Sequence, residues 1–321
     1  MSDTSSVECV CLTGPTACGK TELALALAEV VPLEIISMDS ALVYRGLDIG
    51  TAKPAAAVRS AVPHHLIDIL DPTESYSAGR FARDAAALVG DIRARGRLPL
   101  LVGGTLLYLR ALRDGLSALP RADRAVRAEL DREAAEHGWA ALHERLRGVD
   151  PAAADRIAPA DRQRIQRALE VHALTRRPIT ELQRAEDDRK RPGVLAIALV
   201  PQNRAELAVR IEQRFDAMVA AGFVAEVEQL RARGDLNPDM PAMRAVGYRQ
   251  IWAHLDGRCT FESARTKAVV ATRQYAKRQL TWLRGDPRIE AWPALAADLV
   301  DRCAERLSKE NLTAKNGRRL C

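Results

Sequence analysis

Val7 to Thr13, VECVCLT, runs straight into Gly14, Pro15, Thr16, Ala17, Cys18, Gly19, Lys20 and Thr21, and then into the helix-forming stretch ELALALAEV from Glu22 to Val30. This is the spacing G-x-x-x-x-G-K-[ST] with an apolar strand before it and a helix after it, the context in which that pattern carries physical meaning. The glycines let successive backbone N–H groups curl round an anion, and the helix N-terminus adds positive partial charge. Lys20 reaches the bridging oxygens of a diphosphate or triphosphate, and the Thr21 hydroxyl is the expected ligand for Mg²⁺. The motif predicts phosphate binding and leaves the reaction open, since kinases, GTPases and motor ATPases share it.

Working outward, LEIIS (33–37), HLIDI (65–69), LPLLV (98–102) and VLAIALV (194–200) alternate with helical stretches. Runs apolar on both faces are those of parallel strands covered by helices. The expected fold class is α/β, a P-loop NTPase-like core whose parallel sheet is flanked by helices. Between about Leu116 and Pro192 the apolar runs vanish and the chain becomes charged and helical, with breaks at Gly138, at 148–151 and at Pro178. We expect residues 1–115 and 193–308 to form the core, 116–192 an inserted all-helical domain, and 309–321 a mobile basic tail. Asn203 with Glu206 marks a further helix start.

The formal net charge of +6 and pI near 9.1 suit an anionic partner without proving one. No apolar run is long enough to cross a bilayer, because Leu23 to Ile36 is interrupted by Glu29, Pro32 and Glu34. The start, MSDTSSVE, lacks a basic, apolar leader, so the expectation is a cytoplasmic protein without membrane association. The cysteines, at 9, 11, 18, 259, 303 and 321, show no metal-ligand spacing and read as reduced thiols, Cys9 and Cys11 sharing one strand face.

The second strand ends in Ser37, Met38, Asp39 and Ser40, on the side of the sheet where the phosphate loop opens. There Asp39 serves either as a general base or water-mediated metal contact, or as a cap for the next helix. Gly103, Gly104 and Thr105 come after another strand, the glycines permitting close approach and Thr105 suited to capping. His64 and His65, at a strand start, are expected to point away from the crevice. From Arg265 to Arg284 there are six basic residues and no acidic one, with Arg273, Lys277 and Arg284 on one helical face. Tyr275 and Trp282 nearby can stack on bases or fill the core. In the insert, Arg162, Arg164 and Arg167 interleave with Gln163 and Gln166, a mixture that grips phosphates and reads base edges, or a solvated face.

Taken together, GPTACGKT (14–21), SMDSALVYRGLDIGTAKP (37–54), PHHLID (63–68), YSAGRFARDA (76–85), LLVGGTLLYLRAL (100–112), DRQRIQRALEV (161–171), RAVGYRQIW (244–252) and TRQYAKRQLTWLR (272–284) resemble the bacterial tRNA dimethylallyltransferase family. The resemblance spans nearly the whole chain. It implies transfer of a dimethylallyl group from its diphosphate to N6 of the adenine just 3′ of the anticodon, position 37, in tRNAs reading codons that begin with U. It also implies that the phosphate loop, 14–21, holds the diphosphate with help from Arg214; separately, a monomer is expected. In this reading Lys20 and Mg²⁺ at Thr21 stabilise the leaving pyrophosphate, Asp39 takes the N6 proton and Thr105 sits near the reacting groups. The anticodon arm of tRNA is expected along Asp39, Ser40, Ala41 and Leu42; Gln163, Arg164, Ile165, Gln166 and Arg167; Arg244, Ala245, Val246, Gly247, Tyr248 and Arg249; and Lys277, Arg278, Gln279, Leu280, Thr281, Trp282, Leu283 and Arg284. Departures from the family pattern are Cys18 for Ser, Met38 for a smaller residue, and Arg177 for Gly. A thiol at a helix N-terminus is expected to ionise more readily than usual, so Cys18 suggests oxidative sensitivity. Without the resemblance, the motifs also fit a P-loop kinase or an RNA-binding switch protein.

Overall fold

The computed structural model describes residues 7–115, 117, 119, 120, 122–184, 191–310 and 312. The chain divides into two compact units, Met1–Arg113 with Arg191–Cys321, and Asp114–Lys190. The expected mobile tail lies outside the described residues, apart from 309, 310 and 312.

The first unit is built on a six-stranded sheet ordered β3-β2-β4-β1-β5-β6, every pair parallel. Its strands are β1 Val7–Thr13, β2 Leu33–Ser37, β3 His64–His65, β4 Leu98–Val102, β5 Gly193–Val200 and β6 Ile289–Pro293. Helices α1 Lys20–Val30, α2 Ala56–Ala61, α3 Ala78–Ala94 and α4 Leu106–Arg113 connect the first strands; α9 Arg204–Ala220, α10 Phe223–Ala232, α11 Tyr248–Leu255, α12 Phe261–Arg284 and α13 Leu299–Lys309 come after β5. The central strands bury almost every side chain, as a sheet covered on both faces must: all five residues of β2 and the first four of β4 are buried. Leu12, Ile36, Leu100 and Leu101 sit in that core, and each contributes roughly 1.5–3 kcal/mol by leaving water.

Two strand expectations change. The apolar run 65–69 yields only the two-residue β3, because Leu66 and Asp68 adopt left-handed backbone (φ 61° and 57°) that no strand continues through. The Asp68 carboxylate is drawn instead into ion pairs with Lys53 and Arg59. The sixth strand, β6, falls where only helices are expected after β5. At the other end of the core, the expected start at Asn203 is the N-cap of α9, its side chain accepting from the Ala205 N–H at 2.8 Å.

The second unit consists of helices α5 Arg124–Val149, α6 Pro151–Arg156, α7 Arg162–Thr175 and α8 Ile179–Arg184. The expected breaks are visible as Gly138 at φ 81°, which kinks α5, as Asp150 capping α6 at Pro151, and as the turn before Ile179. Leu130, Leu142, Leu146, Ile165, Leu169 and Val171 form its core. Glu170 is fully buried there and is compensated by donors from Arg127, Arg167 and the Asp123 N–H, so its carboxyl stays below the usual range despite burial.

Candidate active site

The carboxyl ends of β1, β2 and β4 open onto one cavity of about 360 Å³, lined wholly by the first unit. β1 delivers the phosphate loop to it. Gly14 sits at φ 138°, where an added Cβ would lie 2.4 Å from the Leu199 carbonyl oxygen, so only glycine lets the loop turn beside β5. Ala17 takes left-handed backbone at φ 62°, unusual for a residue with a side chain, at a turn that lines the cavity. Arg210 of α9 fixes this turn by donating from Nε to the Ala17 carbonyl at 2.9 Å. Helix α1 begins directly after Gly19, with no side chain capping it, which leaves first-turn N–H groups for an anion.

Lys20 Nζ donates to the carbonyls of Gly14 (3.0 Å) and Pro15 (2.6 Å), so the ammonium is held over its own loop. Burial lowers its pKa to about 8, the Arg214 charge acts in the same direction, and the Cys18 and Asp39 charges oppose it. Arg214 lines the cavity one helical turn beyond Arg210. Thr16, Ala17, Cys18, Gly19 and Thr21 line it as well.

Asp39 lines the same cavity and also caps a turn: its Oδ1 accepts from the backbone N–H of Ala41 at 2.8 Å and of Leu42 at 3.4 Å. The capping role is thus seen, at a turn, with one carboxylate oxygen tied to it, while the residue remains in the cavity wall. Thr105 Oγ1 accepts the Ser40 N–H at 3.2 Å, and the Thr105 N–H reaches the Met38 carbonyl at 3.3 Å. Gly103 makes this crossing possible, since a Cβ there would lie 2.1 Å from the Met38 oxygen.

Tyr275, which on sequence alone fits either a base-stacking or a core role, belongs to this cluster. It lines the cavity, its hydroxyl donates to the Gly104 carbonyl at 3.5 Å, and burial, with the nearby Asp39 charge, pushes its pKa up to about 12. It is therefore a neutral hydrogen-bonding group. Gln279, one turn further along α12, donates to the same carbonyl at 2.8 Å, while its buried Oε1 has no protein partner.

The other expected contacts separate by placement. Ser40, Ala41, Leu42, Arg244, Ala245, Val246, Gly247 and Tyr248 line the cavity, whereas Arg249 does not. Lys277, Arg278, Thr281, Trp282 and Arg284 are exposed on α12, while Leu280 and Leu283 are core side chains that anchor it. Arg273 is tied to Glu212 and Arg265 to Glu212 and Asp216, so these two members of the basic stripe are neutralised by α9. In the second unit Gln163 and Arg164 are exposed, Ile165 is core, Gln166 donates to Asp131, and Arg167 is held by Glu170 and the Pro120 carbonyl.

Two expectations are overturned. His64 lines the cavity instead of facing away, because it pairs with Ile35 of β2 and paired residues share a face, and Ile35 is itself in the wall. His65, on the opposite face, bonds Glu34 at 2.7 Å. Cys18 is buried, and desolvation raises its thiol pKa more than Lys20 and Arg210 lower it, so the helix N-terminus does not make it readily ionised. Among the described residues no group of three or more His, Cys, Asp and Glu is placed to hold a metal, and no helix is long and apolar enough to cross a membrane.

With that geometry established, comparison with known proteins is specific. The family model described as IPP transferase matches residues 42–286. A tRNA dimethylallyltransferase of Bordetella petrii is 55% identical over 312 residues, covering 95% of this chain and 99% of that protein. One from Ralstonia nicotianae is 57% identical over 302 residues, covering 92% and 94%. The crystal structure of the tRNA isopentenylpyrophosphate transferase of Bacillus halodurans superposes with a TM-score of 0.68 at 38% identity, covering 94% of this chain and 97% of that one. A eukaryotic dimethylallyltransferase, captured acting on tRNA, gives 0.75 at 26% identity, covering 97% and 81%. The sheet, the phosphate loop and these relatives agree: the chain belongs to the family of tRNA dimethylallyltransferases, prenyl-transferring enzymes with a P-loop-like fold.

Proposed function

We propose that the chain transfers the dimethylallyl group of dimethylallyl diphosphate to N6 of adenine 37, immediately 3′ of the anticodon, in tRNAs reading U-initial codons, giving N6-(dimethylallyl)adenosine and pyrophosphate. The observation that carries this reading is the composition of one cavity: a phosphate loop with Lys20 and Arg214, an apolar wall of Ile211, Phe215, Met218 and Phe223, and the carboxylate of Asp39. Diphosphate, five-carbon chain and nucleophile each have a matching surface there.

In the reaction the N6 lone pair attacks C1 of the allyl group and the C1–O bond breaks, its electron pair leaving with pyrophosphate. Asp39 receives the N6 proton through the oxygen not tied to its turn. An adenine amine is a weak nucleophile, so catalysis rests chiefly on stabilising the departing charge, which the loop N–H groups, Lys20 and Arg214 do in a partly dehydrated cavity. Thr105, fixed by Ser40 and Met38, orients the region where base and allyl carbon meet. Thr21 and Asp39, oxygen donors in the cavity wall, would hold a Mg²⁺ ion, which would supply neutralisation of the leaving-group charge. The anticodon arm is held by the Arg244–Tyr248 wall, by the exposed face of α12, and by Gln163 and Arg164 of the inserted unit. The protein acts as a monomer in the cytoplasm.

The test is incubation of purified protein with Mg²⁺, dimethylallyl diphosphate and unmodified tRNA, followed by nucleoside mass measurement. One adenosine gaining a single five-carbon unit, with the diphosphate and not with ATP, is the expected result. ATP consumption without prenylation would replace this reading by a kinase.

A further inference from the structure

A second cavity, of about 440 Å³, lies between α11 and α12, and the active site does not use it. Arg249, Gln250 and Ala253 form one wall; Thr266, Lys267, Val270 and Gln274 form the other. None of its lining residues is acidic. Among the described residues no carboxylate pairs with Arg249 or Lys267, in contrast to Arg265 and Arg273, which α9 neutralises.

The polar groups of this groove are biased towards donation. Gln250 Oε1 is already taken by the Gly247 N–H at 2.9 Å, which leaves its amide N–H₂ for a ligand. The Cys259 carbonyl likewise already bonds His254 Nδ1 at 3.0 Å. Guanidinium, ammonium, amide N–H₂ and the Thr266 hydroxyl together match an acceptor-only ligand such as a phosphodiester.

Helical spacing connects the groove with the rest of α12. Residues 267, 274, 278 and 281 fall within about 60° of one another around a helix, and Lys267 stands roughly 16 Å from Arg278 along it. Arg278 and Thr281 are exposed, and Arg278 stacks its guanidinium over the Tyr275 ring at 5.8 Å, a ring that belongs to the main cavity. A donor-rich track therefore leads from the reaction site along α12 to the groove.

We infer that the α11–α12 groove, centred on Lys267 and Arg249, is a phosphodiester-binding site that holds the backbone of the same RNA substrate away from the reacting adenine. This rests on the tRNA reading of the active site, because it is the polynucleotide that supplies a second phosphate at that distance. The groove contributes affinity and takes no part in bond making.

The experiment compares wild type with Lys267→Glu and with Arg83→Glu, an exposed α3 change of equal charge that lines neither cavity. Binding of whole tRNA is measured by filter retention across a salt series, alongside pyrophosphate affinity and thermal stability. Lys267→Glu should weaken tRNA binding about tenfold at low salt and lower the log–log salt slope by about one, with pyrophosphate affinity and melting unchanged. Equal losses for Lys267→Glu and Arg83→Glu, or an unchanged salt slope, would overturn the inference. Because binding is read directly, this result stands apart from whether wild-type protein transfers a prenyl group.

Discussion

Ile49 donates its backbone N–H to Glu226 Oε2 at 2.6 Å, across 177 residues of sequence. The same carboxylate accepts from Asp48 (3.0 Å) and Gly50 (3.1 Å), and from the Tyr248 hydroxyl at 2.5 Å. One side chain of α10 thus ties the strap after Asp39 to the first residue of α11, and Gly50 and Tyr248 both line the cavity. Glu226→Gln replaces an acceptor with a donor facing backbone N–H groups, leaving at least one of them unpaired. The expected loss is about 2–3 kcal/mol by denaturant unfolding, with a raised KM for tRNA. Tyr248→Phe, which removes one donor and leaves the carboxylate otherwise paired, should lose about 1 kcal/mol.

Lys20 should set a pH limit on the proposed diphosphate binding. Its folded pKa of about 8 lies below the ordinary lysine value of 10.5, so between these values the unfolded chain holds a proton that the folded loop has released. Stability attributable to this group therefore rises with pH from about 8 to 10.5, and the penalty of a buried ammonium is fully present below 8. Anion binding runs the other way, since the neutral amine loses its attraction. Pyrophosphate affinity measured by calorimetry should weaken above about pH 8 relative to Lys20→Arg, whose guanidinium does not titrate there and whose profile should lack that step.

Asp39→Asn retains an oxygen for the Ala41 N–H and removes the proposed base. The cap should survive, so the melting temperature and tRNA affinity should stay near wild type while kcat falls by roughly 10²–10⁴. Wild-type kcat would remove Asp39 from the proton transfer. Tyr275→Phe deletes a neutral hydroxyl that donates to the Gly104 carbonyl. A loss of up to about tenfold in kcat, with little change in tRNA KM, is expected for one such hydrogen bond. Its rate relative to wild type should not change between about pH 7 and 9, because the wild-type phenol, at about 12, does not titrate in that range.

How much of this was legible in sequence depended on whether one stretch carried its own signal. The strands 7–13, 33–37 and 98–102 are apolar on both faces because helices cover both, and such runs read directly. Strand β6 does not: it lies at the sheet edge with Trp292 alone buried, so its polar residues hide the period. The run 65–69 misled because strand propensity cannot report the left-handed turns at Leu66 and Asp68, which ion pairs formed with distant residues accompany. His64 belongs to the cavity through its register with Ile35, and Tyr275 through the crossing of α12 over Gly104. Both are tertiary relations, and no local pattern announces them.

Cys18 behaves opposite to the expectation from its position in the loop. Two effects compete there: the positive groups Lys20 and Arg210 favour a thiolate, and burial of a side chain 2% exposed disfavours it. Burial dominates, so at neutral pH the sulfur is a protonated thiol with little room for an oxidant. Since the thiolate is the reactive species, low ionisation and poor access both slow oxidation. Wild type and Cys18→Ser should therefore lose prenyl-transfer activity to hydrogen peroxide at the same rate at about pH 7, with no sulfenic acid detected at residue 18 by mass measurement. Protection by Cys18→Ser, together with a sulfenate at that position, would mean that the loop opens often enough to expose the thiol.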